Sequence, residues 1–490
     1  MTMRRPALPL LRIPLLSLPL EDLACVVIFA FFAMQGAIPG IAPPASHEIT
    51  GAAYTTLSTV GGIASQAAID LLILLLLLRS PRLLLNRILC VPSAALLAAL
   101  AVASTLWSLD PLLTLRRGIP FALAGLFGLW FAARFSSERQ MRILRLTTLA
   151  LALASIALVL FAPSFGLDPT PGHASDWKGI FTQKNACGRI MVLATAVVLF
   201  GARLTPRRAA LLLLFAFVLI MSGSRAAWTI EAVVLLVWIT VYLGRRATSR
   251  ARLLIAITAP ILSATAAIIA AHFSWQLMHL LDREPTLSGR TAIWMQVLHA
   301  IAQRPLLGYG FDAFWRGMQG PSMQIDTAVH FIVEHAHNGF LEICLELGFT
   351  GLVLFLLSWL AAWRSLWPLW REGAFQRITF PLIFLILIGL YDLEENTLLI
   401  YNGLFWPLYV SALAAIDFAR RERRHRLRHA PHAILTADTP SALQEIVEPN
   451  RPHLPLRAAP SLGDLHRCPG ACPAPLHADL RRTPPHPYRP

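Results

Sequence analysis

Residues 335–351 read His335-Ala-His337-Asn338-Gly-Phe-Leu-Glu-Ile-Cys-Leu-Glu-Leu-Gly348-Phe-Thr-Gly351 and close the longest polar gap between the hydrophobic runs of the chain. A helix starting near Ala336 is expected to put His337 on one face with Phe340, Leu341, Cys344 and Gly348, because helical periodicity stacks those positions. Asn338, Glu342 and Glu346 then form a narrow polar stripe beside them. An imidazole aimed at an apolar face, where a loop re-enters a membrane, is an uncommon use of a titratable group. Its ordinary alternative is a structural histidine donating to a backbone carbonyl.

The surroundings of this stretch are apolar. The chain has 490 residues, 56% hydrophobic and 14% charged, with a mean hydropathy of +0.59. Soluble domains carry about 25% charged residues, so a chain this apolar reads as an integral membrane protein of many helices. The net charge of +15 does not indicate nucleic acid. The arginines fall in short clusters between apolar runs and in the C-terminal region, the pattern of cytoplasmic loops and contact with anionic membrane lipid. Cys468 and Cys472 lack a second ligand pair at zinc-site spacing, and the other cysteines lie in or beside apolar runs as packing residues.

Apolar runs lie near 22–41, 63–79, 88–107, 119–135, 143–164, 187–203, 208–222, 227–244, 252–272, 348–366, 377–395 and 399–417. They predict about twelve spans, each near the roughly 20 residues that cross hydrocarbon. The first run is too far in, and too clearly followed by others, for a cleaved signal peptide. Loops 79–87, 134–145, 203–208, 245–252 and 364–377 all bear arginines and alternate with arginine-poor loops. Positive loops inside put both termini in the cytoplasm. The expected organisation is a cytoplasmic segment 1–21, a polytopic membrane domain 22–417 with a large, partly helical outer loop at about 273–347, and a disordered, basic, Pro-rich cytoplasmic tail 418–490.

On that topology the unusual polar residues collect on one side: Lys178, Lys184, Asn185, Arg189, Arg225, Arg290, His335, His337 and Asn338. Each cation has an ordinary reading. Arg189 and Arg225 could be snorkelling end residues, Arg290 a surface residue at a helix start capped by Ser288, and Lys178 a solvated loop residue. Together, several unpaired cations at one membrane face, beside a histidine and helix N-termini, suit a multiply charged anionic ligand whose other end lies in lipid. Asp70 and Glu231 fall within predicted spans, where an acid is a functional candidate by default. Glu231 has pairing with an arginine as its structural alternative, and Asp392, Glu394 and Glu395 read as solvated residues at a helix end.

His337-Asn338, nine residues, Gly348, two residues, Gly351 resembles the signature of the O-antigen ligase superfamily of bacterial polysaccharide enzymes. Trp107-Ser108-Leu-Asp110-Pro111 with Arg116-Arg117-Gly118, Gly179-Ile-Phe-Thr-Gln-Lys184-Asn185, Ser222-Gly-Ser-Arg225, and Ser288-Gly-Arg290 ahead of Pro305–Phe311 look similar to the family's other motifs, in its order. The Phe-Thr-Gln-Lys-Asn and His-Ala-His-Asn forms look most like the exopolysaccharide polymerase branch typified by succinoglycan production proteins. The basic tail departs from the family pattern.

The resemblance implies a GT-C-like, all-α integral membrane glycosyltransferase of the bacterial inner membrane, with its large loop and active site on the periplasmic side. It implies an undecaprenyl-diphosphate-linked oligosaccharide donor and, as acceptor, a lipid-linked glycan in a polymerase or lipid A–core in a ligase. No nucleotide sugar, cofactor or metal is expected, and a chain-length regulator stands as a candidate protein partner. The family's essential arginines match Arg225 and Arg290 best; with Lys184 and Arg189 they are expected to bind the diphosphate. His337 is expected to accept the acceptor's proton, with Asn338, His335 and Asn185 supporting. Trp294, Tyr309, Phe311 and Trp315 are candidates for stacking on sugars, with core packing the alternative. A ligase, a protein O-oligosaccharyltransferase, and a transporter or flippase for lipid-linked sugars are the rival readings; the last calls for polar groups near the bilayer midplane.

Overall fold

The computed structural model describes residues 19–38, 56–85, 87–169, 175–200, 205–245, 247–255, 258, 290–317, 320–330 and 332–435. Among them the protein is all helix, apart from an isolated bridge between Leu167 and Trp177. Among the described residues, five helices are long and apolar enough to cross a membrane: Val60–Leu78, Pro111–Arg134, Ser137–Phe161, Arg225–Gly244 and Gly339–Arg371. The bent pair Pro81–Cys90 and Pro92–Leu106 makes a sixth if counted as one span. The other predicted runs coincide with shorter or less apolar helices, including Leu20–Ala33, Lys184–Phe200, Pro206–Met221 and Phe375–Glu394. Most of the run at 252–272, and the loop that follows it to 289, lie outside the described residues. The described residues are thus those of a multi-pass, all-α membrane protein.

The described residues up to 428 form one compact unit. The last helix, Phe405–Leu435, runs well past residue 417, where the sequence pattern ends the membrane domain. Its arginines at 420 and 421 pair with Asp417 one turn back, which carries the helix into the basic segment. The residues beyond 435 lie outside the described part.

Local sequence sets where helices begin. Asp110, Ser136, Ser224 and Asn338 are N-caps whose side chains accept the free N–H of Leu113, Arg139, Ala227 and Leu341. The bundle core is aromatic: Phe29 packs on Phe127 and Phe131, and Phe121 lies between Phe311 and Trp406. A smaller core of Ile293, Val297, Phe314, Trp315, Val333 and Ala336 lies under the segment from 290 to 336. Tyr309, Phe311 and Trp315 are buried, so they pack the interior and are not available to stack on a sugar.

Chain reversal gives the bundle two distinct ends. At one, the nearly inaccessible Asp22 binds Arg139 and Arg142 at 2.7 and 2.8 Å, and Glu21 binds Arg134. At the other, short motifs far apart in sequence meet. Trp107 Nε1 donates to the carbonyl of Leu307, 200 residues away, and Arg117 pairs with Asp312 at 3.0 Å. Trp177 N–H donates to Met221 O, and Ser224 Oγ lies 3.0 Å from Asn185 Oδ1.

The Gly339–Arg371 helix is broken at Gly348, whose φ and ψ are 65° and −170°, a conformation open essentially to glycine alone. The break frees backbone groups, and the 305–310 loop uses them. Tyr309 and Gly310 N–H donate to Leu345 O and Glu346 O; Phe349 and Thr350 N–H donate to Pro305 O and Leu306 O. A Cβ at 348 would stand 2.2 Å from Leu306 O. The glycine at this motif position is therefore where a loop is stitched into a helix.

Candidate active site

The helix after the histidines starts at Gly339, not near Ala336, with Asn338 as its N-cap. His337 therefore does not share a helical face with Phe340, Cys344 and Gly348. It stands in the loop before the helix, with φ of 49°, in the left-handed region that few side chains other than Asn and Asp enter readily. Asn338 Oδ1 accepts Leu341 N–H, while its Nδ2 donates to Leu393 O at 3.1 Å. Asn338 thus starts one helix and ties it to the end of another.

That second helix, Phe375–Glu394, delivers Glu395. The solvated reading of Glu395 is overturned: the residue is 5% exposed and is the hub of the site. Its Oε2 lies 2.8 Å from His335 Nε2 and 3.2 Å from His337 Nδ1. Its Oε1 accepts from Arg290 Nη2 at 3.0 Å and from Asn185 Nδ2 at 3.4 Å. Burial pushes this carboxyl's pKa up, but the hydrogen bonds from both histidines outweigh burial and hold it well below its ordinary 4.5. His335 moves down from 6.5 because burial disfavours its charge more than the Glu395 bond favours it.

An ionised carboxylate only accepts hydrogen bonds, so both rings donate to it. That arrangement uses Nδ1 of His337 as the donor, so in the neutral ring Nε2 is the nitrogen with the lone pair. Among the described residues nothing bonds Nε2, and 28% of the side chain is open. His335 is turned the other way round, donating from Nε2.

The buried Asp392 shapes the arm that carries Glu395. Its Oδ1 accepts from Thr397 N–H, Thr397 Oγ1 and Leu398 N–H. Gly339 lets the His337 arm approach it, since a Cβ there would stand 2.4 Å from the same oxygen.

The expected cations divide into three groups. Arg290 is at the hub. Arg189 is buried rather than snorkelling, and donates to Asn396 O at 3.4 Å, next to Glu395. Arg225 opens the Arg225–Gly244 helix, is exposed, and forms no ion pair among the described residues. It is joined to the hub through its neighbour Ser224, then Asn185, then Glu395. Lys184 is held in an ion pair with Asp176 at 2.7 Å. Ser288 lies outside the described residues. Glu231 forms no ion pair with an arginine among the described residues, and Asp70 accepts from Gln66.

Nitrogens of His335 and His337 and an oxygen of Glu395 lie within 4.8 Å of one another, a spacing that could hold a metal ion. Arg290 already occupies the other carboxylate oxygen, and Arg189 adds a second positive charge one residue on.

Residues 210–356 match the O-antigen ligase family. This stretch holds Arg225, Arg290, both histidines, Asn338 and the Gly348 break. That part of the chain is similar to the O-antigen ligase family. It is 30% identical over 274 residues to the exopolysaccharide production protein ExoQ of Rhizobium meliloti, which covers 52% of this chain and 60% of that protein. It is 40% identical over 79 residues to a protein of Rickettsia prowazekii and 39% identical over 79 residues to one of Rickettsia conorii, both named as polysaccharide ligases. Those matches cover 16% of this chain and 20% and 19% of the relatives. The chain therefore spans about three fifths of the ExoQ sequence. Glu395 and Asn185, two of the groups that build the hub, fall outside the family match.

Proposed function

We propose that this protein is a membrane glycosyltransferase that moves a lipid-diphosphate-linked glycan onto the hydroxyl of an acceptor sugar, extending an exopolysaccharide or O-antigen chain at the periplasmic face of the inner membrane. The observation that carries the reading is the single carboxylate of Glu395 holding His337 by Nδ1, which leaves Nε2 free beside guanidinium groups.

In this reading the acceptor oxygen attacks the anomeric carbon while His337 Nε2 takes its proton. The bond from C1 to the diphosphate oxygen breaks, and its electron pair leaves with the diphosphate. Glu395 keeps His337 in the right tautomer and stabilises the imidazolium that forms, the role a carboxylate plays behind histidine in hydrolytic triads. Arg225, exposed and in no ion pair among the described residues, is the first cation to meet the leaving group. Arg290 and Arg189 strengthen the field from within the hub, and Lys184 joins them only if it releases Asp176. One well-placed charge donor is worth about 3 kcal/mol of barrier, or roughly a hundredfold in rate. A single displacement inverts the anomeric centre.

The collection of polar groups at one end of the bundle favours transfer over transport, which calls for a site near the midplane. Ligation to lipid A–core is the nearest second reading, supported by the names of the Rickettsia relatives. Purified protein given a defined lipid-linked repeat, first alone and then with lipid A–core, separates the two. Growth of the carrier-linked chain with no second acceptor supports polymerisation. Product only with lipid A–core supports ligation, and no product with either opposes both.

A further inference from the structure

The two histidines flank Ala336, and the Ala336 peptide is held from both sides. Its N–H donates to Glu342 Oε2 at 2.7 Å. Its carbonyl accepts from Trp294 Nε1 at 2.9 Å. The other oxygen of Glu342 accepts from Trp315 Nε1 at 2.6 Å. Glu342 is 1% exposed, on the first turn of the Gly339–Arg371 helix, and Ala336 is fully buried. The acid therefore sits behind the histidine loop and has no access to a substrate.

We infer that Glu342 is a positioning residue, which fixes the Ala336 peptide so that the rings on either side converge on Glu395. The chemistry is specific to a carboxylate. Two N–H donors converge on Glu342, one from Ala336 and one from Trp315, so both of its oxygens serve as acceptors. Glutamine supplies one oxygen and turns an NH2 group toward the other donor. Loss of either bond loosens a loop whose His337 already holds a φ of 49°, a conformation that persists only when surrounding contacts enforce it. Trp294 is the opposing clamp, and it lies on the helix that starts with Arg290. The same clamp thus ties the histidine loop to the element that carries the hub arginine.

The inference rests on the catalytic reading of His337 for its effect on rate, but not for its effect on geometry. The test uses full-length protein in detergent or nanodiscs, with a lipid-diphosphate-linked repeat as donor. Glu342→Gln is expected to lower kcat about 10- to 100-fold, the scale of a small misplacement of a reacting group. Donor KM should stay within about twofold. Adding Trp315→Phe removes the competing donor, so the glutamine oxygen can return to Ala336 N–H, and most of kcat should come back. In histidine-labelled protein, the downfield ring N–H resonances expected of the bonds to Glu395 should shift in Glu342→Gln.

Unchanged ring resonances in folded Glu342→Gln would overturn the inference, as would wild-type kcat or a loss confined to donor KM where His337→Ala is itself impaired. If Glu342→Gln does not fold, Trp294→Phe opens the clamp from the carbonyl side and must give the same kcat loss and resonance shift; a silent Trp294→Phe counts against the inference. A fully active His337→Ala together with shifted resonances in Glu342→Gln would remove the catalytic reading and leave the positioning role standing.

Discussion

Glu395 Oε2 stands 3.2 Å from His337 Nδ1, across 58 residues of chain. The pairing joins the loop before one broken helix to the loop after another, and it sets which ring nitrogen of His337 is free. Everything chemical proposed for this protein follows from that free nitrogen and the guanidiniums near it.

Replacing Glu395 by Gln tests the hub. Glutamine leaves one oxygen to accept from Arg290, Asn185, His335 and His337, so some of those donors lose their partner and the His337 tautomer is no longer imposed. Transfer should fall by about 10²-fold or more, and the fall should persist at saturating donor. Initial rates with purified variant protein check it.

Arg225 gives a different signature. It is exposed and forms no ion pair among the described residues, so Arg225→Ala should change stability by no more than about 0.5 kcal/mol. Turnover should drop roughly a hundredfold through loss of charge stabilisation. Melting and rate measured on one preparation separate these effects.

His335 on its own contributes a loss of stability on mild acidification. Burial lowers its folded pKa below 6.5, so the unfolded chain binds the proton first as pH falls. Its stability contribution is therefore complete above about 6.5 and is lost from there down to the lowered folded value. Glu395, held well below 4.5, adds a second loss only at still lower pH. The stability difference between wild type and His335→Asn should therefore shrink as pH falls from 7.5 to about 5, measured by paired denaturation midpoints.

Gly348→Ala should destabilise the protein by about 1–3 kcal/mol or more. Its backbone conformation excludes a side chain, and the added carbon would meet Leu306 O at 2.2 Å. The loss should appear as a lower melting temperature and lower yield, with little change in donor KM for whatever protein folds.

Much of this was legible in sequence because the membrane imposes it. Apolar runs mark helices, as Ser137–Phe161 and Arg225–Gly244 show, and the segregation of Arg225, Arg290 and His337 from the arginine loops marks one end of the bundle. Three features were not legible. Asn338 caps its helix, so His337 left the face that periodicity gave it; an Asn just before Gly-Phe-Leu-Glu was the available signal. Glu395 looked like an ordinary helix-end acid, because its partners lie 58, 60, 105 and 210 residues away. The Gly348 break is invisible to a periodicity that continues on both sides of it. What closes it is backbone from residues 305–310.

The central claim is that His337, oriented by Glu395, takes the acceptor's proton. The direct measurement is the single-turnover rate of His337→Ala, purified, shown to be folded, and saturated with a defined lipid-linked repeat. A rate about 10²- to 10⁴-fold below wild type, with unchanged donor affinity, is the predicted result. Transfer at the wild-type rate by folded His337→Ala would contradict it.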